Sequence, residues 1–190
     1  METTKAKMVH YVVDARLSRF TVQAFAGGFL SAFAHSPKFA IRGISSKVRL
    51  DPANLELAEL RIEIRANFIQ LLDEVSDKDH REIERAMREE ALEANTHPTI
   101  FFESTSVSAT RIADGQYNLS LAGDLSLHGV TRRLTIPARV ALAGDTLRAF
   151  GEFSLKQTDY HIKLVAVAGG AIKVKDELKF SFDLVARKQG

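Results

Sequence analysis

The amino-acid sequence predicts an all-β protein, an antiparallel barrel of about eight strands with one α-helix near residues 78–94. Long segments alternate apolar and polar residues with a period of two, which gives each strand one apolar face. Two-residue turns join successive strands, and the strand–helix–strand alternation of a parallel sheet does not occur. Several strands reach about a dozen residues, roughly twice the usual length, as is typical of a sheet that curls on itself.

Composition narrows the class of protein. A chain of 190 residues without a Pro-, Gly- or Ser-rich linker fits a single domain, residues 1–190. The net charge is +2 and basic residues are scattered among acidic ones, so no nucleic-acid partner is expected. The chain has no cysteine, which excludes disulfides and thiol chemistry. It also lacks a nucleophile elbow, a P-loop and a dinucleotide-binding fingerprint.

The expected location is cytoplasmic. The first eight residues contain no apolar signal-peptide region, and no later run approaches the ~20 apolar residues of a transmembrane segment. A periplasmic location is expected instead if the chain is a mature form from which a signal peptide has been cut.

The first third of the chain predicts four strands and one irregular segment. Short strands are expected at residues 9–14 and 20–24, followed by an apolar, glycine- and alanine-rich segment at 26–35. The apolar phase changes sides between Lys38 and Leu50, which predicts a bulge near Gly43. Strict alternation from Leu60 to Phe68 predicts another long strand.

One helix is predicted over residues 78–94. Ser76 or Asp77 can cap its N-terminus, and Asn95 and Pro98 end it. Its apolar residues are spaced along one face, namely Ile83, Met87, Ala91 and Ala94. The remaining surface is strongly charged, so we expect this helix outside the barrel or across one of its ends.

The second half of the chain predicts long hairpins. A strand runs from Ile100 to a turn at Asp114-Gly115, although serines at positions 104, 106 and 108 leave its phase open. A His128-Gly129 loop then sets the register of the next hairpin, with these opposed pairs: Leu127 and Val130, Asp124 and Arg133, Leu121 and Ile136, Leu119 and Ala138, Tyr117 and Val140. The exposed charge pair contributes ~0.2–1 kcal/mol.

A second loop, Gly144-Asp145, repeats this arrangement. It predicts these opposed pairs: Leu142 and Leu147, Val140 and Ala149, Ile136 and Phe153, Leu134 and Leu155. A C-terminal strand alternates from Leu178 to Ala186 and completes the sheet. A barrel of this size either fills its interior with side chains or holds one small or elongated ligand, and the residues alone leave both alternatives open.

Several short motifs, in order along nearly the whole chain, resemble those of the YceI-like family. They are Tyr11-Val12-Val13-Asp14 with Ser18, Leu50-Asp51-Pro52, the run from His97 to Ser104, the run from Gly123 to Arg132, Phe153-Ser154-Leu155 with Asp159-Tyr160, and Lys175-Asp176-Glu177-Leu178. The Leu127-His128-Gly129-Val130-Thr131 block is the most specific. The chain departs from the family at Asp159-Tyr160-His161-Ile162, where Asp-Phe-Gly-Ile is usual, and in showing no secretory signal.

The resemblance implies a lipocalin-like, extended antiparallel barrel and a lipid-binding protein rather than an enzyme. Its ligand would be a long apolar isoprenoid, either a polyprenyl quinone or a polyprenyl chain, that is bound, carried or sequestered in the lumen. The resemblance also implies a bacterial protein, and it implies no other cofactor.

The candidate lumen residues are the apolar faces of the strands: Phe20, Val22, Ile62, Ile64, Leu119, Leu121, Ile136, Phe153, Phe180 and Phe182. Apolar burial of ~25 cal/mol per Å² would supply the affinity for such a ligand. Phe29 and Phe33 are candidates for a lid at the barrel mouth. His128 is placed there too, with a structural role as a residue tolerant of positive φ favoured over contact with a ligand head group.

No metal site is predicted, because the spacing of His35, His97 and His161 matches no metal motif. His80 and Glu84 lie one helical turn apart, but a salt-bridged surface helix explains them equally well.

Two alternative functions are kept. One is an enzyme acting on a small amphipathic substrate at the barrel mouth, with His128, Asp159 and His161 as participants. The other is a membrane- or partner-facing interaction module that uses the segment from Phe29 to Phe33. Long edge strands also suggest a homodimer.

Overall fold

The computed structural model describes residues 7–28, 36–167 and 172–189. These ranges contain twelve strands, β1 to β12, with the following bounds: Val9–Val13, Arg19–Gly27, Lys38–Ile41, Ile44–Asp51, Asn54–Arg65, Ile69–Leu71, Thr99–Ala113, Gln116–Leu127, Val130–Ala143, Thr146–Lys156, Ala166–Val167 and Ile172–Lys188. The segment from Phe29 to Phe33, predicted to form a lid, lies outside the described residues.

The sheet closes into an antiparallel barrel, as predicted. The strand order is β1-β4-β5-β7-β8-β9-β10-β12, and β12 pairs with β1 to complete the circle. At three positions of the barrel, two strands follow one another along the same line: β1 and β2, β4 and β3, and β5 and β6. The second set pairs in the same order as the first, since β12 continues along β2, β2 pairs with β3, and β3 pairs with β6. The barrel therefore has eight strand positions, three of them occupied by two consecutive strands.

The predicted register of the β8–β9 hairpin is confirmed. Leu127 pairs with Val130, Leu121 with Ile136 and Tyr117 with Val140. The predicted charge pair also forms, with 3.5 Å between Arg133 Nε and an Asp124 carboxylate oxygen. The turn residues adopt the backbone that the tight loop requires, since His128 has φ 52° and Gly129 has φ 75°.

The second hairpin is confirmed only near its turn. The β9–β10 ladder runs from the Ala143–Thr146 pair to the Arg139–Phe150 pair. The predicted pairs of Ile136 with Phe153 and of Leu134 with Leu155 lie beyond the end of this ladder. Proline has no N–H to donate, so Pro137 interrupts the ladder where it ends, and the four apolar side chains beyond it line a cavity.

A strand break and a β-bulge account for the phase changes that the sequence displays. The bulge predicted near Gly43 is instead a break between two strands, since β3 ends at Ile41, β4 begins at Ile44 and Gly43 between them has φ 63°. In β7, Ser104 pairs with Gly123 and Ser106 with Ala122, so Thr105 is an extra residue. This bulge moves the inward face from even to odd positions and resolves the phase that the sequence leaves open.

Three predicted boundaries are corrected. The strand expected to reach Phe68 ends at Arg65, where a 3-10 turn over Ala66–Phe68 leaves Phe68 half exposed. The helix, α1, begins at Asp77 rather than at residue 78, with Ser76 as its N-cap. After Arg85 it continues as a π-helical turn over Ala86–Ala91 and ends three residues earlier than predicted. Within the described ranges, no helix is long and apolar enough to span a membrane.

The barrel interior has a filled half and a hollow half. In the filled half, buried residues from both ends of the chain pack together, among them Tyr11, Leu50, Leu121, Val140 and Ala186. Two further apolar clusters surround the hollow half, and side chains of α1 pack against both of them. The helix therefore lies across the hollow end of the barrel.

A pair of leucines on β5 tests this assignment of faces. Leu55 is 4% exposed and Leu57 is 45% exposed, although residues two apart on a regular strand share a face. The register shift between the Asp51–Asn54 and Arg49–Glu59 pairs leaves residues 55–58 outside the ladder and interrupts the alternation there. Leu55→Ala should lower the free energy of unfolding by ~2–5 kcal/mol, as expected for a buried leucine. Leu57→Ala, the matched control, should change it by less than ~0.5 kcal/mol in urea unfolding. Equal losses would contradict the assigned faces.

Candidate ligand cavity and the polar cluster at its edge

The hollow half of the barrel contains a cavity of about 680 Å³. Its walls come from the inward face of the closed sheet and from α1, which contributes Ile83, Ala86 and Met87. This volume lies within the ~300–1,000 Å³ of typical ligand pockets. The filled half contains a much smaller cavity of about 120 Å³ with an apolar lining.

The predicted lumen residues divide between these two cavities. Seven line the main cavity, namely Phe20, Val22, Ile62, Ile64, Ile136, Phe153 and Phe180. The other three, Leu119, Leu121 and Phe182, line the small cavity, and all three belong to or pack against the filled core. The sequence pattern identifies the inward face of the barrel but does not divide it into hollow and filled parts.

Aromatic side chains form a partition between the two cavities. Phe20, Ile62, Ile136 and Phe153 contribute to both linings. Phe153 stacks on Phe180 with ring centroids 4.8 Å apart and planes inclined by 7°, and Phe20 lies 6.3 Å from Phe180 and from Phe182. These packed rings separate the space available to a ligand from the solid core.

The polar side chains of the main cavity are few. Among the described residues they are Glu74, Ser76, Asp79, Glu82, Gln157 and Lys173. The four that belong to α1 and the segment before it are exposed, so they mark the opening of the cavity. Three carboxylates face one ammonium group in this set, and the opening is therefore acidic.

Hydrogen bonds and an ion pair fix α1 over the cavity. One oxygen of the Glu84 carboxylate accepts a bond from the backbone N–H of Leu71 at 3.0 Å. The other lies 2.9 Å from the Arg88 guanidinium, which also donates to the backbone carbonyl of Ile69. The bond between Leu71 and Glu84 and the bond between Arg88 and Ile69 join the helix to β6 at the barrel rim.

A 3-10 turn over Gln157–Tyr160 forms another part of the cavity wall. The backbone N–H and the hydroxyl of Thr158 donate to the two oxygens of Asp176, at 2.8 and 2.7 Å. These bonds, the backbone one first, lower the pKa of Asp176 below its usual range. Gln157 is buried in the wall and donates to the Lys175 carbonyl at 2.8 Å. The turn is thereby held to β12.

A polar cluster lies at the edge of the cavity, where the helical segment ends. His128 Nε2 is 3.0 Å from a carboxylate oxygen of Glu93, and His97 Nε2 is 3.9 Å from the same oxygen. Nδ1 of His128 donates to the Tyr160 carbonyl at 3.1 Å. From the sequence, His128 is predicted at the mouth, but Glu93 is not predicted as a site residue and His128 is not connected with His97. The one local signal is the four-residue spacing of Glu93 and His97.

The other polar residues considered in the sequence do not join this cluster. His128 contacts the backbone of the turn that carries Asp159 and His161, but the described side chains of these three residues do not form a common cluster. Glu84 accepts a hydrogen bond from Leu71 and forms an ion pair with Arg88. Among the described residues it does not belong with His80 to a group of three potential metal ligands.

Comparison with known proteins places the chain in a family. The model of the YceI-like domain matches residues 11–186. The chain belongs to the YceI-like family. A protein of Azotobacter vinelandii named UPF0312 protein is 28% identical over 137 residues, which cover 71% of this YceI-like chain and 64% of the relative. The match thus spans less than two thirds of that relative's length.

Solved structures share the fold of this YceI-like chain. BcnA of Burkholderia cenocepacia has a TM-score of 0.68 at 20% identity, covering 91% of this chain and 98% of that one. A polyisoprenoid binding domain from Saccharophagus degradans has a TM-score of 0.67 at 15% identity, covering 95% and 99%. The YCEI protein of Campylobacter jejuni has a TM-score of 0.61 at 13% identity, covering 83% and 88%. At these identities the likeness concerns the fold.

Four of the family motifs of this YceI-like chain meet at the hollow end of the barrel. His97, His128, Tyr160 and Asp176 belong to four separate motifs and are connected through the contacts described above. His161, which stands where the family usually has glycine, has φ 56°. The chain thus keeps a backbone conformation that glycine adopts freely, despite the different side chain.

The Asp176 contact gives a testable dependence of stability on pH. Because the pKa of Asp176 is lowered in the folded state, its stabilising effect is present above the unfolded-state value of ~3.9 and is lost as the pH falls through the folded-state value. Asp176→Asn should therefore reduce the free energy of unfolding at pH 7, with the difference from wild type narrowing below about pH 4. Urea unfolding measured from pH 7 to pH 3 checks this.

Thr158→Val is the companion variant. This variant removes the hydroxyl donor and keeps the backbone N–H. At pH 7 it should therefore lower the free energy of unfolding by less than Asp176→Asn does. If the free energy of unfolding of Asp176→Asn stayed below that of the wild type by the same amount down to pH 3, a stabilising role for the ionised carboxylate would be contradicted.

Proposed function

We propose that the protein binds and carries a long apolar isoprenoid lipid with an uncharged head group, such as a polyprenyl quinone, in the main cavity. The observation that carries this proposal is an apolar cavity of about 680 Å³ inside a closed barrel, with polar side chains concentrated at one opening. Each buried CH₂ group contributes roughly 0.8 kcal/mol, so a long chain needs few directed contacts.

The charges at the opening favour an uncharged head group over a phosphate. Glu74, Asp79 and Glu82 outnumber Lys173 there. The N-terminus of α1 adds a partial charge of about +0.5, which favours anions but is smaller than the excess of carboxylates. A polyprenyl phosphate entering head-last would place its negative charges beside these side chains, whereas a quinone would not.

The comparisons support binding rather than catalysis. The Saccharophagus degradans structure that shares this fold is described as a polyisoprenoid binding domain. Among the described residues, His128, Asp159 and His161 do not form a group whose potential ligand atoms lie within 4.8 Å of one another. The interaction-module alternative depends on residues 29–33, and the homodimer stays a prediction. Closure of the sheet removes much of the edge on which the dimer was based.

Binding is tested by titrating delipidated protein with two probes of the same chain length, a polyprenyl quinone and a polyprenyl diphosphate. Native mass spectrometry should record one quinone per chain and weaker binding of the diphosphate. The difference should narrow at high salt, because exposed charges are screened over ~8–10 Å at physiological ionic strength and over shorter distances above it. If neither probe binds, the proposal is overturned. If the diphosphate binds more tightly than the quinone, the assignment of an uncharged head group is overturned.

A pair of alanines locates the ligand. Ala24 lines the main cavity and Ala138 the small one, and both are 8% exposed. Ala24→Phe places a ring in the proposed binding space and should weaken quinone binding at least tenfold, ~1.4 kcal/mol. Ala138→Phe, the matched control, should retain most of the affinity.

Added volume in a packed interior costs ~1–3 kcal/mol, so thermal unfolding of both variants must be measured with the affinities. Equal loss of binding in two folded variants would contradict a ligand confined to the main cavity. Retained binding in folded Ala24→Phe would place the lipid elsewhere.

A further inference from the structure

The proposed lipid site does not use the polar cluster of Glu93, His97 and His128. Glu93 follows the helical segment, His97 ends the turn after it, and His128 belongs to the β8–β9 loop. One potential ligand atom of each side chain lies within 4.8 Å of the others. Among the described residues, these are the three histidine, cysteine or acidic side chains that meet in this way.

The hydrogen bonding of His128 defines which of its ring nitrogens is available. The Tyr160 carbonyl can only accept, so His128 Nδ1 carries a hydrogen. In the neutral imidazole, Nε2 then presents a lone pair, and it faces the Glu93 carboxylate at 3.0 Å. Two acceptors at this distance require a cation between them, either a proton or a metal ion. A histidine that donates its other N–H to a backbone carbonyl is the usual arrangement of a metal ligand.

We propose that Glu93, His97 and His128 bind a divalent metal ion, with zinc favoured by the two imidazole nitrogens and one carboxylate. Zinc binds such nitrogens and oxygens at ~2.0–2.2 Å in tetrahedral geometry, which separates ligand atoms by roughly 3.3–3.5 Å. The separations from the Glu93 oxygen are 3.0 Å to His128 Nε2 and 3.9 Å to His97 Nε2. Shifts of a few tenths of an ångström bring these two separations into range, and the ligand atoms of the two imidazoles lie within 4.8 Å of each other. Three protein ligands leave the fourth position for water.

The local backbone brings the three side chains together. Glu93 has φ 44° and His128 has φ 52°, both in the left-handed region that glycine adopts more readily. The backbone N–H of His97 donates to the Glu93 carbonyl at 2.8 Å, which folds the turn back on itself. Gly129 allows the His97 ring to approach, since a Cβ at this position would lie 2.9 Å from His97 Cε1.

Burial and charge are also suitable for a metal ion. The His128 side chain is 11% exposed and that of His97 is 26% exposed, so water competes weakly for these nitrogens. In the described ion pairs, Glu93 is matched with these two histidines rather than with lysine or arginine. Among the described ion pairs, no lysine or arginine therefore competes with a metal ion for the Glu93 carboxylate.

The ion would join the end of the helical segment to the β8–β9 hairpin. Leu92 precedes Glu93 and Leu127 precedes His128, and both leucines line the main cavity. The proposed site therefore lies directly behind the cavity wall. It goes beyond the proposed lipid function, because it is built from different side chains and can be measured without lipid.

The experiment uses delipidated protein freed of metal with EDTA and titrated with Zn²⁺ against a chromophoric chelator. One zinc ion per chain is expected. Glu93→Gln, His97→Gln and His128→Asn should each weaken binding at least tenfold, and asparagine tolerates the positive φ at position 128. His80→Gln is the matched control, a helical histidine outside the cluster, and should leave the affinity unchanged.

A measurement on the wild-type protein keeps the test independent of variant folding. X-ray absorption of the zinc-loaded protein should record two imidazole ligands with oxygen ligands. The ¹⁵N resonance of His128 Nε2 should move on zinc addition, while its Nδ1 keeps its hydrogen. Failure to bind one zinc ion, unchanged affinity in the three folded variants, or an Nε2 that is protonated and insensitive to zinc would overturn the proposal.

Discussion

The structure depends on the closure of the sheet through β12. This strand pairs with β10 on one side and with β1 and β2 on the other. Closure satisfies the backbone groups of edge strands and directs alternate side chains of every strand into one interior. Each inward residue must then either pack against the opposite wall or face a space. In this chain the inward residues pack against the opposite wall at one end of the barrel and face a cavity at the other.

The division of the interior follows from what is available to fill each end. In the filled half, side chains from β1, β4, β5, β8 and β9 meet across the barrel, and the residual cavity is about 120 Å³. In the hollow half, α1 lies across the opening, and only its apolar face reaches inward. Its contacts with β6 through Glu84 and Arg88 hold it at the rim rather than within the barrel. Phe20, Phe153 and Phe180 then form the boundary between the halves.

The sequence specifies local pairing better than the shape of the interior. The two-residue loop at His128-Gly129 fixes the β8–β9 register, which is confirmed pair by pair. Alternation does not reveal where β9 and β10 separate, because Leu134 and Ile136 keep the same phase after their ladder ends. The same pattern serves a filled and a hollow barrel. The sequence shows only the four-residue spacing of Glu93 and His97, because His128 joins them only after two distant segments fold together.

The size of the main cavity bears on what must occupy it. Side chains that line about 680 Å³ of space lack the contacts that a packed interior would give them, which costs stability. Water is a poor occupant of a space lined mainly by Ile, Leu, Phe and Val, because it needs two to four polar partners. An apolar ligand replaces the lost contacts without polar partners. On this argument the proposed isoprenoid acts as cargo and also as the missing part of the hydrophobic core.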